Sequence, residues 1–187
     1  MYTMRREEKQ SVNRQKVNEF CHRIKAGYLG LADGHLPYVV PLNYVWMNDC
    51  IYFHGAEEGR KQRIIEENPQ ACFTIAEDQG TITNPVPAHT STGYYSVMIF
   101  GKLEIVHDIE EATYAMQVML DKYVPGYFSD KLSKHHVSSY RSSKNSKTVV
   151  YRLRAEQVTA KENKLIDEAL FYNGRTREQD LEERPSE

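Results

Sequence analysis

Between Tyr38 and Lys61 the chain reads YVVPLNYVWMNDCIYFHGAEEGRK, and no other stretch restricts the fold as tightly. Tyr38 to Trp46 is dense in β-branched and aromatic residues, Asn48-Asp49 supplies turn chemistry, and Ile51 to His54 resumes the strand pattern. This pattern predicts a β-hairpin. Pro41 has no N–H to give to a ladder, so its strand is expected at a sheet edge, with backbone groups open to something other than another strand. Gly55 and Ala56 then permit close approach of a backbone, and Gly59-Arg60-Lys61 opens an amphipathic helix that carries Ile64 and Ile65 and is closed by Asn68-Pro69. A helix N-terminus presents unpaired N–H groups and a partial positive charge, so Arg60 and Lys61 stand against the usual preference for acids there. A phosphate held by Gly59, Arg60 and Lys61 would resolve the conflict; two solvated cations are the other account.

The surrounding elements are read from periodicity. Val17, Phe20, Cys21 and Ile24 fall at i, i+3, i+4 and i+7, which predicts a helix stopped by Gly27. Strands are expected at about 28–32, 38–47, 50–54 and 71–77, with a longer one from Tyr94 to His107 that Gly101 bends. Asp108 and Glu111 make a capping-box start for a helix whose stripe is Ala112, Ala115, Met116, Met119 and Tyr123, ended by Pro125-Gly126. From Val124 to Lys147 come seven serines, five Lys or Arg and the pair His135-His136, a candidate lid, before Thr148 to Leu153 restores a strand. Leu165, Ile166, Ala169, Leu170 and Phe171 suggest a further helix. The charged segment from Arg175 onward is expected to be held by contacts with a partner chain.

A hairpin, a short helix, further strands, a longer helix and a closing strand give an all-antiparallel path. The expected fold is therefore mainly β: a six-stranded antiparallel split β-barrel with peripheral helices, over residues 1–161, followed by a helical and charged extension over 162–187. A doubly wound parallel sheet would need crossover helices that residues 38–54 do not contain. With 187 residues and 40% apolar content the chain can bury a sizeable core, and a net charge of −2 argues against nucleic acid as a partner. No apolar run has the length of a membrane span, and Arg5-Arg6 is followed by Glu7-Glu8-Lys9 rather than an apolar core, so the reading is cytoplasmic with no membrane partner. Cys21, Cys50 and Cys72 are scattered without ligand spacing, and His135-His136 lacks a nearby carboxylate ligand; no metal site and no disulfide framework is expected.

The motif Tyr52-Phe53-His54-Gly55-Ala56 with Gly59-Arg60-Lys61, preceded by Val39-Val40-Pro41-Leu42-Asn43 and followed by Asn68-Pro69 and Ala71-Cys72-Phe73, resembles the flavin-binding split-barrel family related to pyridoxamine 5′-phosphate oxidase, in its nitroimidazole-reductase branch. Met4-Arg5-Arg6, Gly27 to Ala32, Tyr95-Ser96-Val97 with Gly101, and Val149 to Lys161 agree in order, so the resemblance covers roughly residues 4 to 161. The chain lacks the Arg and Lys that true pyridoxamine phosphate oxidases place where Pro41, Leu42 and Asn43 stand.

The resemblance implies FMN, or FAD, as cofactor, bound at the interface of a two-fold homodimer. It implies that Val40, Pro41, Leu42 and Asn43 run under the flavin ring, that His54 with Gly55 and Ala56 lies near it, and that Tyr95 and Ser96 contribute from one of the two subunits. The activity implied is transfer of electrons from a reduced nicotinamide to a small electron-poor acceptor such as a nitroimidazole or quinone. Two alternatives stand beside it: a flavin or haem binding module without turnover, and an oxidase of the pyridoxamine phosphate type. The latter would need extra cations, which Lys131, Lys134, Arg141, Lys144 and Lys147 alone could supply. His54 is read either as a proton relay or as a hydrogen-bonded packing residue.

Overall fold

Asn48 and Asp49 both take positive φ, +52° and +56°, the signature of a two-residue type I′ hairpin turn. In the computed structural model, which describes residues 9, 10, 13–141 and 145–182, this turn joins β3 (Val45–Met47) to β4 (Cys50–Ala56). The expected strand over 38–47 is not continuous. Its first part belongs to β2 (Leu36–Asn43), which pairs antiparallel with β1 (Ala26–Asp33), and Tyr44 alone separates β2 from β3. The expected hairpin is thus confined to β3 and β4, and the strand count is seven rather than six.

The strand order is β2-β1-β5-β6-β7-β4-β3, with β5 at Gln70–Ile82, β6 at Ser91–Ile105 and β7 at Thr148–Asn163. The registers of β1 with β2 and β5, and of β4 with β3 and β7, are antiparallel. β2 and β3 stand at opposite ends of this order, yet one residue links them. A sheet whose two ends are that close along the chain must curl back on itself, which is how an open antiparallel sheet becomes a barrel. One run is thus shared between both ends of the order at Tyr44, and β6 continues unbroken through Gly101.

The described residues group into two compact units, one of residues 13–75, 98–141 and 145–158, the other of residues 9, 10, 76–97 and 159–182. In the first, Leu29, Ile51, Phe53, Phe73, Ile75, Ile99, Tyr151 and Leu153 are fully buried. Phe53 stacks on Tyr151, with centroids 5.0 Å apart, and Tyr44 meets Phe73 edge-on at the same distance. A second apolar cluster, built from Val45, Cys50, Tyr52, Val106 and Val150, receives Ala112, Ala115 and Met119 of α3 (Ile109–Tyr123). The expected stripe of α3 is its buried face. Asp108 caps the helix through Glu110 N, whereas Glu111 turns away from the cap to accept bonds from Arg152 and Tyr52.

The N-terminal helix α1 (Arg14–Arg23) buries Val17, Phe20 and Cys21 and is capped by Asn13, whose side chain accepts from Lys16 N. α4 (Lys134–Ser138) lies in the serine-rich segment; Lys144, one of its cations, lies outside the described residues.

In the second unit the apolar residues from Leu165 to Phe171 form no α-helix. Asp167–Ala169 is a single 3-10 turn, and Leu170 bridges to Ile82 as an isolated strand contact, because ladder pairing satisfies this backbone where a short helix would leave its ends open. The charged tail is tied into its own chain as far as α5 (Arg177–Glu182). The Arg175 guanidinium binds Asp180 at 2.7 Å and the carbonyls of Leu170 and Glu168, while Asp180 also accepts from Thr83.

Tyr44 is fixed from α3. Its N–H donates to the Tyr123 hydroxyl at 2.8 Å, and that hydroxyl faces the carbonyls of Lys25 and Tyr44. Replacing Tyr123 by Phe keeps the ring but leaves the Tyr44 N–H without its partner, and should cost about 2 kcal/mol of stability in urea denaturation. Gly101 marks a close approach to β7: a Cβ built there would lie 1.9 Å from the Arg154 carbonyl oxygen. Gly101→Ala is expected to cost about 2 kcal/mol or more by the same measurement, because the obstacle is backbone and cannot rotate away.

Candidate functional site

β4 carries chemistry on both of its faces because strand side chains alternate. Cys50, Tyr52 and His54 point to the α3 side: Tyr52 donates to Glu111 at 2.7 Å, and His54 Nδ1 lies 3.2 Å from Met119 Sδ. Ile51, Phe53 and Gly55 point the other way, into the layer that holds Tyr151. The sequence pattern placed His54, Gly55 and Ala56 together at one ligand; the structure puts His54 and Gly55 on opposite faces.

The Gly55 face receives Lys61. α2 (Arg60–Glu67) begins at Gly59, whose φ of +111° favours glycine and whose lack of a side chain leaves the first N–H groups of the helix uncapped. No acidic residue occupies its first turn. The helix is pinned from inside by Tyr151, whose hydroxyl lies 2.6 Å from Gln62 Oε1 and 2.9 Å from the Ala56 carbonyl. Burial pushes that hydroxyl up to about 12, so it stays protonated and able to donate.

Lys61 Nζ consequently sits 5.1 Å from the Phe53 ring centroid and 5.2 Å from that of Tyr151. A Cβ on residue 55 would lie 2.5 Å from the ammonium nitrogen, so the glycine makes the space that Lys61 uses. Burial lowers the Lys61 pKa, and no carboxylate among the described residues bridges it to offset the effect. Burial also lowers that of His54, and the Lys61 charge adds to the effect, so His54 is neutral at pH 7.

Arg60 is placed differently from its neighbour. Its Nε donates to Asp33 at 2.9 Å and its guanidinium stacks over Tyr38 at 4.7 Å. Arg63, which the sequence reading did not single out, binds the same carboxylate, and these two guanidinium groups hold the Asp33 carboxyl below the usual range. The cations expected to share one anion are thus split: Arg60 is engaged by the end of β1, and Lys61 is turned onto the buried rings of Phe53 and Tyr151. A carboxylate at the end of a strand, six residues beyond Gly27 and facing a basic helix start, was the signal that could have found this pair.

β2 holds Val40, Pro41, Leu42 and Asn43 at an end of the sheet, as Pro41 required, with Pro41 opposite Tyr28 and Asn43 opposite Ala26. Val40 and Leu42 are half-buried; Pro41 and Asn43 are exposed. Tyr95 and Ser96 lie on β6 in the other compact unit, Tyr95 buried and Ser96 half-buried. Of the loop cations that a second phosphate would need, Lys134 is paired with Glu110 and Lys147 with Glu57, and Arg141 donates to the Asn145 carbonyl.

Comparison with solved structures finds the same fold elsewhere. A protein from Bacteroides thetaiotaomicron VPI-5482, provisionally named a 5-nitroimidazole antibiotic resistance protein, matches with a TM-score of 0.62 at 25% identity, over 81% of this chain and 85% of that one. The flavocytochrome Anf3 from Azotobacter vinelandii matches at 0.74 with 16% identity, over 99% of this chain and 80% of that one. A FAD and heme binding protein from Mycobacterium smegmatis matches at 0.67 with 19% identity, over 86% and 78%. At their identities the last two speak to the fold alone. The chain matches no curated protein sequence. A family model for pyridoxamine 5′-phosphate oxidase matches residues 13–162, which span both β4 and α2, and over that length the chain belongs to the pyridoxamine 5′-phosphate oxidase family.

Proposed function

We propose that this protein binds flavin mononucleotide and works as a reductase, taking electrons from a reduced nicotinamide and passing them to a small electron-poor acceptor of the nitroimidazole or quinone kind. The observation that carries the reading is Lys61: a half-buried cation, without a bridging carboxylate among the described residues, in a space kept open by Gly55 and beside an uncapped helix start. That set of donors fits a terminal phosphate. The nitroimidazole-resistance name of the Bacteroides relative supports the acceptor class.

When bound, the flavin supplies the electron chemistry. The residues of the chain hold and shape it. Lys61 and the first N–H groups of α2 hold the phosphate, and the exposed edge of β2 from Val40 to Asn43 offers backbone groups and the Asn43 amide to the polar rim of the ring. Arg60 takes no direct part, because Asp33 engages it; its work is to seat α2. His54, neutral and turned to Met119, is assigned to packing β4 against α3 rather than to moving a proton. A homodimer is part of the proposal, with the half-buried Ser96 contributed to the flavin site by one subunit and the buried Tyr95 packing beneath it. The exposed apolar face of the β1–β2 hairpin supports it, with Tyr28 49% and Val39 61% accessible.

The reading is tested by the absorbance of the purified protein and by nitroaromatic reduction with reduced nicotinamide. Absence of a flavin spectrum, with no uptake of added FMN, would end it. Lys61→Met is expected to weaken FMN about 10- to 100-fold, the loss of one charge-assisted hydrogen bond, and Gly55→Ala to weaken it by displacing the ammonium without changing charge. Arg60→Ala should alter affinity far less. Equal losses for Lys61→Met and Arg60→Ala, measured by fluorescence titration, would restore a shared anion site.

His54 gives a pH signature. Its folded-state pKa lies below the ordinary 6.5, so just under that pH the unfolded chain holds a proton that the folded chain does not. Stability therefore falls as pH drops below about 6.5, with a slope of up to about 1.4 kcal/mol per pH unit. His54→Gln should flatten this decline in urea denaturation between pH 7 and pH 5, and should leave the pH dependence of nitroaromatic reduction unchanged. A reduction rate that loses its pH dependence in the variant would return His54 to proton transfer.

A further inference from the structure

Of all the asparagines in the chain, only Asn173 precedes a glycine. Elsewhere the side-chain amides are engaged: Asn13 caps α1, Asn18 accepts from Trp46, Asn68 and Asn84 accept from backbone N–H groups two residues on, and Asn163 donates to the Thr92 carbonyl at 2.6 Å. Asn173 and Gly174 are exposed, and among the described residues neither the Asn173 amide nor the Gly174 N–H has a hydrogen-bond partner. The Tyr172 carbonyl accepts from the Arg175 N–H at 3.0 Å, so the turn closes across this pair and leaves the Gly174 N–H out of the bond. Gly174 takes a φ of +97°, and a Cβ built on it would meet no atom within 4 Å. Its backbone nitrogen is therefore uncrowded.

The turn runs directly into the residue that clasps the tail. The Arg175 side chain is 11% exposed and donates to Asp180 at 2.7 Å, to the Leu170 carbonyl at 2.9 Å and to the Glu168 carbonyl at 2.8 Å. These bonds need the Arg175 backbone at one position, and the Tyr172 to Arg175 turn sets that position. A change of backbone length inside the turn therefore acts on all of them together.

We propose that Asn173-Gly174 is a site of spontaneous modification whose product loosens the Arg175 clasp. The Gly174 nitrogen gives its proton to a solvent base and bonds to Asn173 Cγ. The Cγ–Nδ2 bond breaks, and the amide nitrogen takes up a proton and leaves as ammonia, so that a succinimide remains. Water then opens the ring at one of its two carbonyls; nothing is oxidised or reduced. Opening on one side gives aspartate, and on the other isoaspartate, in which the side-chain methylene has entered the backbone. That added methylene takes the Arg175 N–H out of register with the Tyr172 carbonyl and draws the guanidinium off its partners. The site does not rest on the flavin reading.

The full chain is stored at pH 8 and, in parallel, at pH 6, and sampled by peptide mass spectrometry. The peptide containing Asn173 should gain the mass of an amide-to-acid exchange, faster at pH 8 because attack needs the nitrogen without its proton. Gly174→Ala should slow the conversion about tenfold by crowding that nitrogen with a Cβ. Asn173→Gln, which would have to close a larger ring, should abolish it over the same period, and it keeps the test open where alanine at positive φ strains the turn. In brief trypsin digestion the fresh protein should be spared after Arg175 and the stored protein cut there about tenfold faster, since cleavage tracks local opening. Stored Asn173→Gln should remain spared. Conversion at Asn173 no faster than at the exposed Asn43 and Asn145, which precede Tyr44 and Ser146, overturns the proposal. So does full conversion that leaves cleavage after Arg175 unchanged.

Discussion

The hydrogen bond from the Tyr44 N–H to the Tyr123 hydroxyl holds the residue at which the sheet turns back on itself. Tyr44 is the only residue between the two outermost strands of the sheet, so whatever fixes Tyr44 fixes the closure of the sheet. Its own hydroxyl donates to the Cys21 carbonyl of α1, and its ring lies edge-on to Phe73 of β5. One side chain therefore ties a helix end to the curl of the strands, while α3 reaches in from outside to hold the backbone. Burial is what gives these bonds their value, since a polar group cut off from water has no second partner to turn to.

The local elements were legible because each had a single physical origin. The stripe of α3, the cap at Asp108, the turn at Asn48-Asp49 and the edge position forced by Pro41 all depend on residues close together in sequence. The break at Tyr44 was not legible, since Tyr38 to Trp46 is uniformly strand-forming and the change of partner strand is decided by α3 from far along the chain. The same holds for the segment around Leu165 to Phe171: its apolar spacing suits a helix, and pairing with Ile82 overrides that propensity.

At the candidate site the motif was visible and its internal geometry was not. Gly55 lies against the Lys61 ammonium and Gly59 opens α2, because glycine spacing and a helix start are local facts. Arg60 diverges because Asp33, 27 residues earlier, competes for it. His54 diverges for a simpler reason: strand alternation gives neighbours opposite faces, so a contiguous motif on β4 is divided between two environments. Histidine, glycine and lysine in one motif need not share one task.

Pro37 and Pro41 stand on the same outermost strand with the same parity. Neither can donate to β1, so the N–H direction of residues 37, 39, 41 and 43 is the outward one, and two of those four positions have no hydrogen to offer. The rim of the sheet thus accepts more readily than it donates. A foreign strand laid along it would find its carbonyls unanswered at alternate steps, which discourages the edge-to-edge stacking that seeds aggregates. A ligand bringing its own N–H groups meets no such obstacle, and the same two prolines that close this border to other chains keep it open to small molecules.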